Sequence, residues 1–347
     1  SQEPPYTWDA GKWGWHSPGG EVPSGVIEAY DMIYDSPELN RLSQERGYDV
    51  RQRIEEEFLK PTMAAVRATP DHVSNYVAYL GTAAVMGRVI NQPEWVHWAF
   101  GWIARNVYAG CFYDGMWHES PSYHYMTTAG LRRCFEAVRG YSDPTGHVGE
   151  DGRRFDNLDP EKTLPFWARV QHAPEVVDLP NGCSATFHDT WAGERRSQPR
   201  ESTASTILPG MGQVALGRGS GADQLQAQMH FSGAYGHSHR DCLAMMLWAK
   251  QREMLSDIGY TWSDIRSWSV STISHNLVAV DCREQKTANS DGDLVWFFPD
   301  NAGVSATEVD GTRAYADVAG LDMYRRLQVV VGHYGVFNGS RFRADIA

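Results

Sequence analysis

The feature that most constrains this chain is a change of texture near its middle. From about residue 24 to residue 180, apolar residues recur at helical spacing, as Val26, Ala29, Tyr30 and Ile33 do. After about residue 205, Gly, Ser and Thr become frequent and short apolar alternations follow one another between turn signals. The pattern predicts helices over Val50–Ala68 with a kink near Pro61, Asp71 to about Ile90, Pro93–Tyr108, Ser120 to about Gly140, and a last one between Asp159 and Val176. It predicts strands over 213–218, 224–231, 242–249, 252–256, 275–281, 294–298, 303–308, 312–318, 325–331 and 333–337. The chain therefore reads as all-α, then all-β. Residues 1–190 form helical hairpins stacked in an array or ring, and residues 205–347 form an antiparallel β-sandwich. Residues 1–22, rich in Trp, Gly and Pro, read as an aromatic loop segment.

The β half carries a group of metal-ligand types. His237, His239 and Asp241 alternate, which on a strand would put all three on one face. Asp257 and His275 follow. His239, Asp257 and His275 offer two imidazoles and a carboxylate, a donor set that suits Zn²⁺ or a similar divalent ion, with Asp241 available to fix a histidine tautomer. Three unrelated polar residues in a sheet is the other reading.

The helical half carries a second group. His72 and Asn75 are three apart and would share a helix face. The loop Tyr113–Tyr125 ends in a helix start, with Ser120 as cap and Pro121 as first residue, so that Tyr123 falls in the first turn. The N-terminal dipole there would favour a phenolate from a group whose ordinary pKa is about 10. Without further context Tyr123 and Tyr125 serve equally well as packing residues.

Composition sets outer limits. The 347 residues are enough for one large domain or two ordinary ones, and 42% hydrophobic with 21% charged content is that of a globular chain. A formal net charge of -12 argues against nucleic-acid binding by bulk charge, while a local basic cleft for a polyanion stays open. Five cysteines without a C-x-x-C pair give neither a disulfide framework nor a Cys₄ zinc site. No apolar run approaches the length of a membrane span. No signal peptide is visible, and the start at Ser1 reads as a mature or trimmed end.

Taken together the motifs resemble those of the heparinase II/III-like polysaccharide lyases, of the alginate lyase or heparinase II type. The resemblance rests on Asp114-Gly115-x-x-x-Glu119-Ser120-Pro121-Ser122-Tyr123-His124, Gly236-His237-Ser238-His239-x-Asp241, Leu255-x-Asp257-x-Gly259 and Ser274-His275-Asn276-x-Val278-x-Val280-Asp281, with Gln285 beyond. It implies an (α/α) toroid, incomplete here, followed by antiparallel β-sheets. It implies β-elimination at a uronic acid, with catalytic Tyr123 and His237, and with His72 and Asn75 in the helical half. It also implies a structural metal on His239, Asp257 and His275, and a periplasmic or secreted bacterial location. The expected partner is an acidic polysaccharide: a glycosaminoglycan such as heparin or heparan sulfate, or else alginate. The chain reads as the middle of such a protein, or as a compact member.

The chemistry needs three things. A uronate carboxylate must be neutralised, for which Asn75 assisted by His72 is the candidate. A base must take the C5 proton and an acid must protonate the leaving oxygen. Tyr123 can do both when the two lie on one face of the sugar; His237 or His72 is the base for the opposite stereochemistry. Glu119 would orient Tyr123 or His124, and Trp117 and His124 would touch substrate. Arg240 and Arg266 read as surface ion-pair partners. Two other classes stay open. One is a zinc-dependent carbohydrate hydrolase using the same metal group. The other is a non-catalytic carbohydrate-binding protein using the aromatic loops.

Overall fold

The structure is a computed structural model that describes residues 24–233, 235–301, 303–331 and 335–344. The aromatic segment 1–22 lies outside them, as do the first two residues of the strand expected over 333–337. The chain divides into two compact units. One comprises residues as far as Gly110 together with Met126–Ala168; the other comprises Cys111–Tyr125 and the residues from Arg169 onward.

The first unit is helical. Its elements are α1 (Ser24–Ile33), α2 (Pro37–Arg46), α3 (Val50–Ile54), α4 (Lys60–Arg67), α5 (Tyr79–Val89), α6 (Pro93–Ala109) and most of α7 (Pro121–Val138). Ser36 caps α2 and Gly47, at φ 74°, closes it in the left-handed region that glycine enters without strain. The kink expected near Pro61 is a π-helical turn, Glu55–Leu59, joining α3 to α4. Proline has no N–H for the carbonyl one turn back, and a wider turn absorbs the missing bond. Along α6, Val96, Ala99, Phe100, Ile103 and Val107 are fully buried at three- and four-residue spacing. A Cβ at Gly87 would stand 2.8 Å from the Gln92 carbonyl and 3.0 Å from Trp95 and Val96, so glycine permits the tight turn from α5 into α6.

The helix expected from Asp71 starts only at Tyr79. Asp71 Oδ1 accepts from the Val73 N–H at 3.1 Å and Ser74 Oγ from the Tyr76 N–H at 3.1 Å. These local bonds offer the backbone an alternative to the helix. His72 therefore lies in irregular chain and Asn75 in a turn, and they do not share a helix face.

The second unit holds two antiparallel sheets, each a meander. The first runs β1 (Thr206–Leu208), β2 (Gln213–Arg218), β3 (Leu225–His230), β4 (Met245–Ala249) and β5 (Arg252–Leu255). The second runs β6 (Asp293–Asn301), β7 (Val304–Asp310), β8 (Leu321–Val331) and β9 (Gly335–Ala344). Val214, Leu216, Ala227 and Met229 of the first sheet share one apolar cluster with Val309, Tyr324 and Val330 of the second. The other face of β2 and β3 carries buried amides. Gln213 donates to Gln228 at 2.8 Å, Gln228 to the Val177 carbonyl at 2.6 Å, and Gln226 to the Asp178 carbonyl at 3.3 Å. These bonds fasten the segment 177–178 to the sheet.

Two expected strands are absent, and the alternating stretch His237–Asp241 is not a strand either. Residues 235–241 form bends, with His237 at φ 48°. Residues 275–279 make no ladder; Asn276 instead donates to the carbonyls of Met245 and Ser256 at 3.2 and 2.7 Å. Residues 312–315 form a 3₁₀ turn capped by Asp310, whose Oδ1 accepts from the Thr312 N–H and hydroxyl. Period two was present in each stretch, but the hydrogen-bond partners are side chains rather than neighbouring strands. No described helix is long and apolar enough to cross a membrane, and all five cysteines are free.

Candidate active site

The second unit brings Tyr123 and His237 together. Tyr123 sits in the first turn of α7, half-buried. Two bonds hold that turn to the loop 188–191: Ser120 Oγ donates to the Asp189 carbonyl at 2.8 Å, and Ser122 Oγ accepts from the Trp191 N–H at 2.9 Å. His237 lies on the bend that follows Gly236, whose φ of 107° is open to glycine. The phenol and imidazole rings stack, with centroids 3.7 Å apart and planes at 19°. The Tyr123 hydroxyl is 3.3 Å from the hydroxyl of Tyr260.

Asp189 orders the histidines. Its side chain has no exposed surface. Oδ2 accepts from His237 Nδ1 at 3.1 Å and Oδ1 from His239 Nε2 at 2.9 Å, and both oxygens accept from the Arg266 guanidinium. Burial by itself would raise its pKa. The hydrogen bonds from His237, His239 and Arg266, with the charge of Arg266, outweigh burial and hold the group below the usual carboxylate range. His237 Nε2 faces Glu119 Oε1 at 3.9 Å.

Trp117 and His124 were expected to touch substrate, and both are buried instead, at 1% exposure each. The Trp117 indole donates to Glu119 Oε2 at 2.8 Å, and its backbone N–H donates to His124 Nδ1 at 3.0 Å. Burial pushes the His124 imidazole down to about 3, so it stays neutral and accepts that bond. The two residues hold Glu119 and the loop. Arg266, expected at the surface as an isolated charge, is the bidentate partner of Asp189. Arg240 pairs with Glu284 at 3.3 Å.

His239 and His275 also come together, with ring centroids 5.3 Å apart. The third residue of this close group is Asp241; the ligand-type atoms of His239, Asp241 and His275 all lie within 4.8 Å of one another. Asp257, expected as a ligand, bonds His275 Nδ1 through Oδ2 at 2.8 Å and accepts from the Gly259 N–H through Oδ1. His239 donates through Nε2 and His275 through Nδ1, so in the neutral rings the opposite nitrogens carry the lone pairs. Those nitrogens, His239 Nδ1 and His275 Nε2, are buried without a hydrogen-bond partner, as is Asp241 Oδ1. Two buried imidazole nitrogens without hydrogen-bond partners, in a group with the Asp241 carboxylate, fit a divalent cation. Asp241 further contacts buried His188 and His230, each at 3.2 Å.

His72 and Asn75 belong to the first unit. His72 is fully buried against Trp98 and Trp102, and its Nδ1 lies 2.5 Å from the Tyr79 hydroxyl. Asn75 is half-buried. The sequence reading missed Asp189 and Tyr260. Neither stands in a spacing pattern, and only the folded loops bring them to Tyr123 and His237.

The heparinase II/III-like C-terminal family matches residues 164–336. No curated protein sequence matches the chain. Solved structures do. A heparinase III gene product superposes with a TM-score of 0.63 at 14% identity over 83% of this chain and 48% of that one. A heparan sulfate lyase mutant from Pedobacter heparinus superposes with a TM-score of 0.65 at 13% identity over 92% of this chain and 52% of that one. At these identities the likeness is one of fold, helices followed by antiparallel sheets. The chain spans about half the length of these two proteins.

Proposed function

We propose, from the match of residues 164–336 to the heparinase II/III-like C-terminal family, that the chain acts as a polysaccharide lyase on a uronic-acid-containing glycosaminoglycan. Heparin or heparan sulfate is the proposed substrate, because the solved relatives carry those names. The observation that carries the reading is the stacked pair of Tyr123 and His237, with His237 fixed by Asp189 and Tyr123 touching Tyr260.

β-Elimination moves one proton off carbon and one onto oxygen. The base takes the C5 proton, the electron pair forms the C4–C5 double bond, and the C4–O bond breaks with protonation of the leaving oxygen. No water is consumed, so the carboxylate pair of a glycoside hydrolase is not needed. A carboxylate accepts only, so the His237 nitrogen beside Asp189 carries a proton, and in the neutral ring Nε2 holds the lone pair. That lone pair and the Tyr123 hydroxyl are the proposed base and acid. Asn75, assisted by His72, is the proposed donor to the uronate carboxylate.

A divalent ion, proposed as Zn²⁺, would be held by His239 and His275 with Asp241 or Asp257; when bound it supplies a fixed positive charge that ties the buried loops together. The helical unit is proposed as part of an (α/α) toroid and the two sheets as a sandwich, over domains 1–190 and 205–347. A polymer substrate places the proposed activity in the periplasm or outside the cell.

The test is direct. The protein is incubated with heparin, heparan sulfate, hyaluronan, chondroitin sulfate and alginate, and the ultraviolet absorbance of an unsaturated uronate is followed. A rise with heparan sulfate that Tyr123→Phe abolishes is the expected result. New reducing ends without that absorbance would hand the site to a metal-dependent hydrolase.

A further inference from the structure

Asp189 stands where two sites meet. One oxygen serves His237, which stacks on Tyr123; the other serves His239, whose remaining nitrogen faces His275 and Asp241. The two histidines are two residues apart, yet they present different nitrogens to the same carboxylate: Nδ1 from His237 and Nε2 from His239. Arg266 closes the arrangement with one N–H to each oxygen. Four donors therefore converge on a carboxylate with no exposed surface.

We propose that Asp189 is a positioning residue shared by the acid–base pair and the cation group, holding His237 and His239 in opposite tautomers. An ionised carboxylate only accepts, so each imidazole must turn an N–H toward it. His237 is thereby the Nδ1–H form, and its Nε2 lone pair points away from Asp189 toward the side of Glu119. His239 is thereby the Nε2–H form, and its Nδ1 lone pair is the buried atom that lacks a partner. If either ring took the other tautomer, two lone pairs would face each other at about 3 Å and the useful lone pair would be lost. Arg266 fixes the plane of the carboxylate by two parallel bonds, the geometry its fork favours.

A consequence follows for the cation. Its site and the proposed catalytic pair share one carboxylate, so filling one alters the other. The cation then does more than staple loops together: it keeps His239, and with it Asp189, in the orientation that His237 needs. Carboxylate partners of metal-bound histidines act this way in general, and losing one costs roughly 10–100-fold in metal affinity.

The experiment reads the tautomers themselves. The Zn²⁺-loaded protein, labelled with ¹⁵N in its histidine rings, is studied by NMR, and the His237 and His239 signals are assigned with His237→Gln and His239→Gln. The expected result is an Nδ1–H ring for His237 and an Nε2–H ring bonded through Nδ1 to metal for His239. An Nε2–H ring at His237 in the wild-type protein overturns the proposal, and this reading needs no Asp189 variant to fold. Asp189→Asn, checked for folding by circular dichroism, supplies the second arm. It is expected to scramble the His237 tautomer and to weaken Zn²⁺ binding roughly 10–100-fold against a chelating dye. Unchanged tautomers with unchanged Zn²⁺ affinity overturn the proposal. A third arm rests on the lyase reading: kcat should fall roughly 10²–10⁴-fold with KM little changed. Should the wild-type protein show no elimination at all, that reading fails, while the NMR and affinity arms still decide the role of Asp189.

Discussion

The Tyr123 phenol and the His237 imidazole lie face to face, with centroids 3.7 Å apart and planes 19° from parallel. Residues so placed share one solvent approach. The stack also fixes the angle of each ring, so the phenol hydroxyl and the imidazole Nε2 keep a constant relation. Each ring is anchored separately, Tyr123 through the first turn of α7 and His237 through Asp189.

Tyr123→Phe tests the phenol without disturbing the stack. It removes the hydroxyl and its contact with Tyr260 and leaves the ring. Elimination should fall roughly 10²–10⁴-fold, the range for losing a positioned acid or base. Thermal melting should change little, because the ring and its stacking on His237 stay in place. A variant that melts as the wild type does but keeps its rate would remove Tyr123 from the chemistry.

The cation group predicts a link between metal and stability. His239 Nδ1 and His275 Nε2 are buried without a hydrogen-bond partner, which costs free energy until an ion satisfies them. A chelator should lower the melting temperature, and added Zn²⁺ should restore it. At 100 times its Kd a single bound ion contributes about 2.7 kcal/mol, several degrees for a chain of this size. His275→Gln should melt low and ignore both treatments. Differential scanning calorimetry with and without Zn²⁺ is the measurement; a chelator-insensitive melting point in the wild-type protein would be the contrary result.

How much of this was legible beforehand varies by residue. Tyr123, His237, His239 and His275 stood out because chemistry-bearing residue types occur there in motif-like strings, and the helix start at Ser120-Pro121 is a local signal. The change from helical to strand texture was equally plain, since periodicity is local. Asp189 and Arg266 were not legible. Their meaning comes from meeting His237 and His239 across a fold, and a lone Asp or Arg carries no trace of that. The errors have a common cause. Asp71 and Ser74 bond their own backbone and delay α5, and Asn276 bonds two carbonyls where a strand was expected. In each case a short polar side chain competes with the regular ladder, and hydrophobic spacing does not register it.

Asp178 predicts a pH dependence of stability. It is buried beside Tyr125, whose hydroxyl donates to it at 3.0 Å. Burial pushes its carboxyl up to about 6, while bonds from Ser197 and Tyr125 and the charge of Arg200 oppose the rise. A folded pKa above the unfolded one means that the protonated form is favoured by folding. That contribution is complete below about pH 4 and lost as pH rises through about 6. Asp178→Asn is neutral throughout. Relative to the wild type it should therefore be more stable at pH 7.5 than at pH 4.5, by about 2 kcal/mol. Urea denaturation of both proteins at the two pH values checks this, and an equal difference at both would refute it.

Gly236→Ala tests whether the bend before His237 is a functional part of the site. Gly236 has φ 107°, a conformation that side chains rarely adopt, and a Cβ there would stand 3.4 Å from Glu119 Oε1. Space is adequate, so the cost is backbone strain of roughly 1–3 kcal/mol. The chain can relieve that strain only by rotating the bend, and rotation moves His237 off the Tyr123 ring. His239 lies further along, tied by the bond from its N–H to His188 Nδ1 at 3.1 Å and by its own bond to Asp189. The variant should accordingly lose elimination activity well beyond its loss of stability, while its Zn²⁺ content, measured by mass spectrometry, stays that of the wild type. Activity that falls only in proportion to the folded fraction would show that the bend is a passive connection.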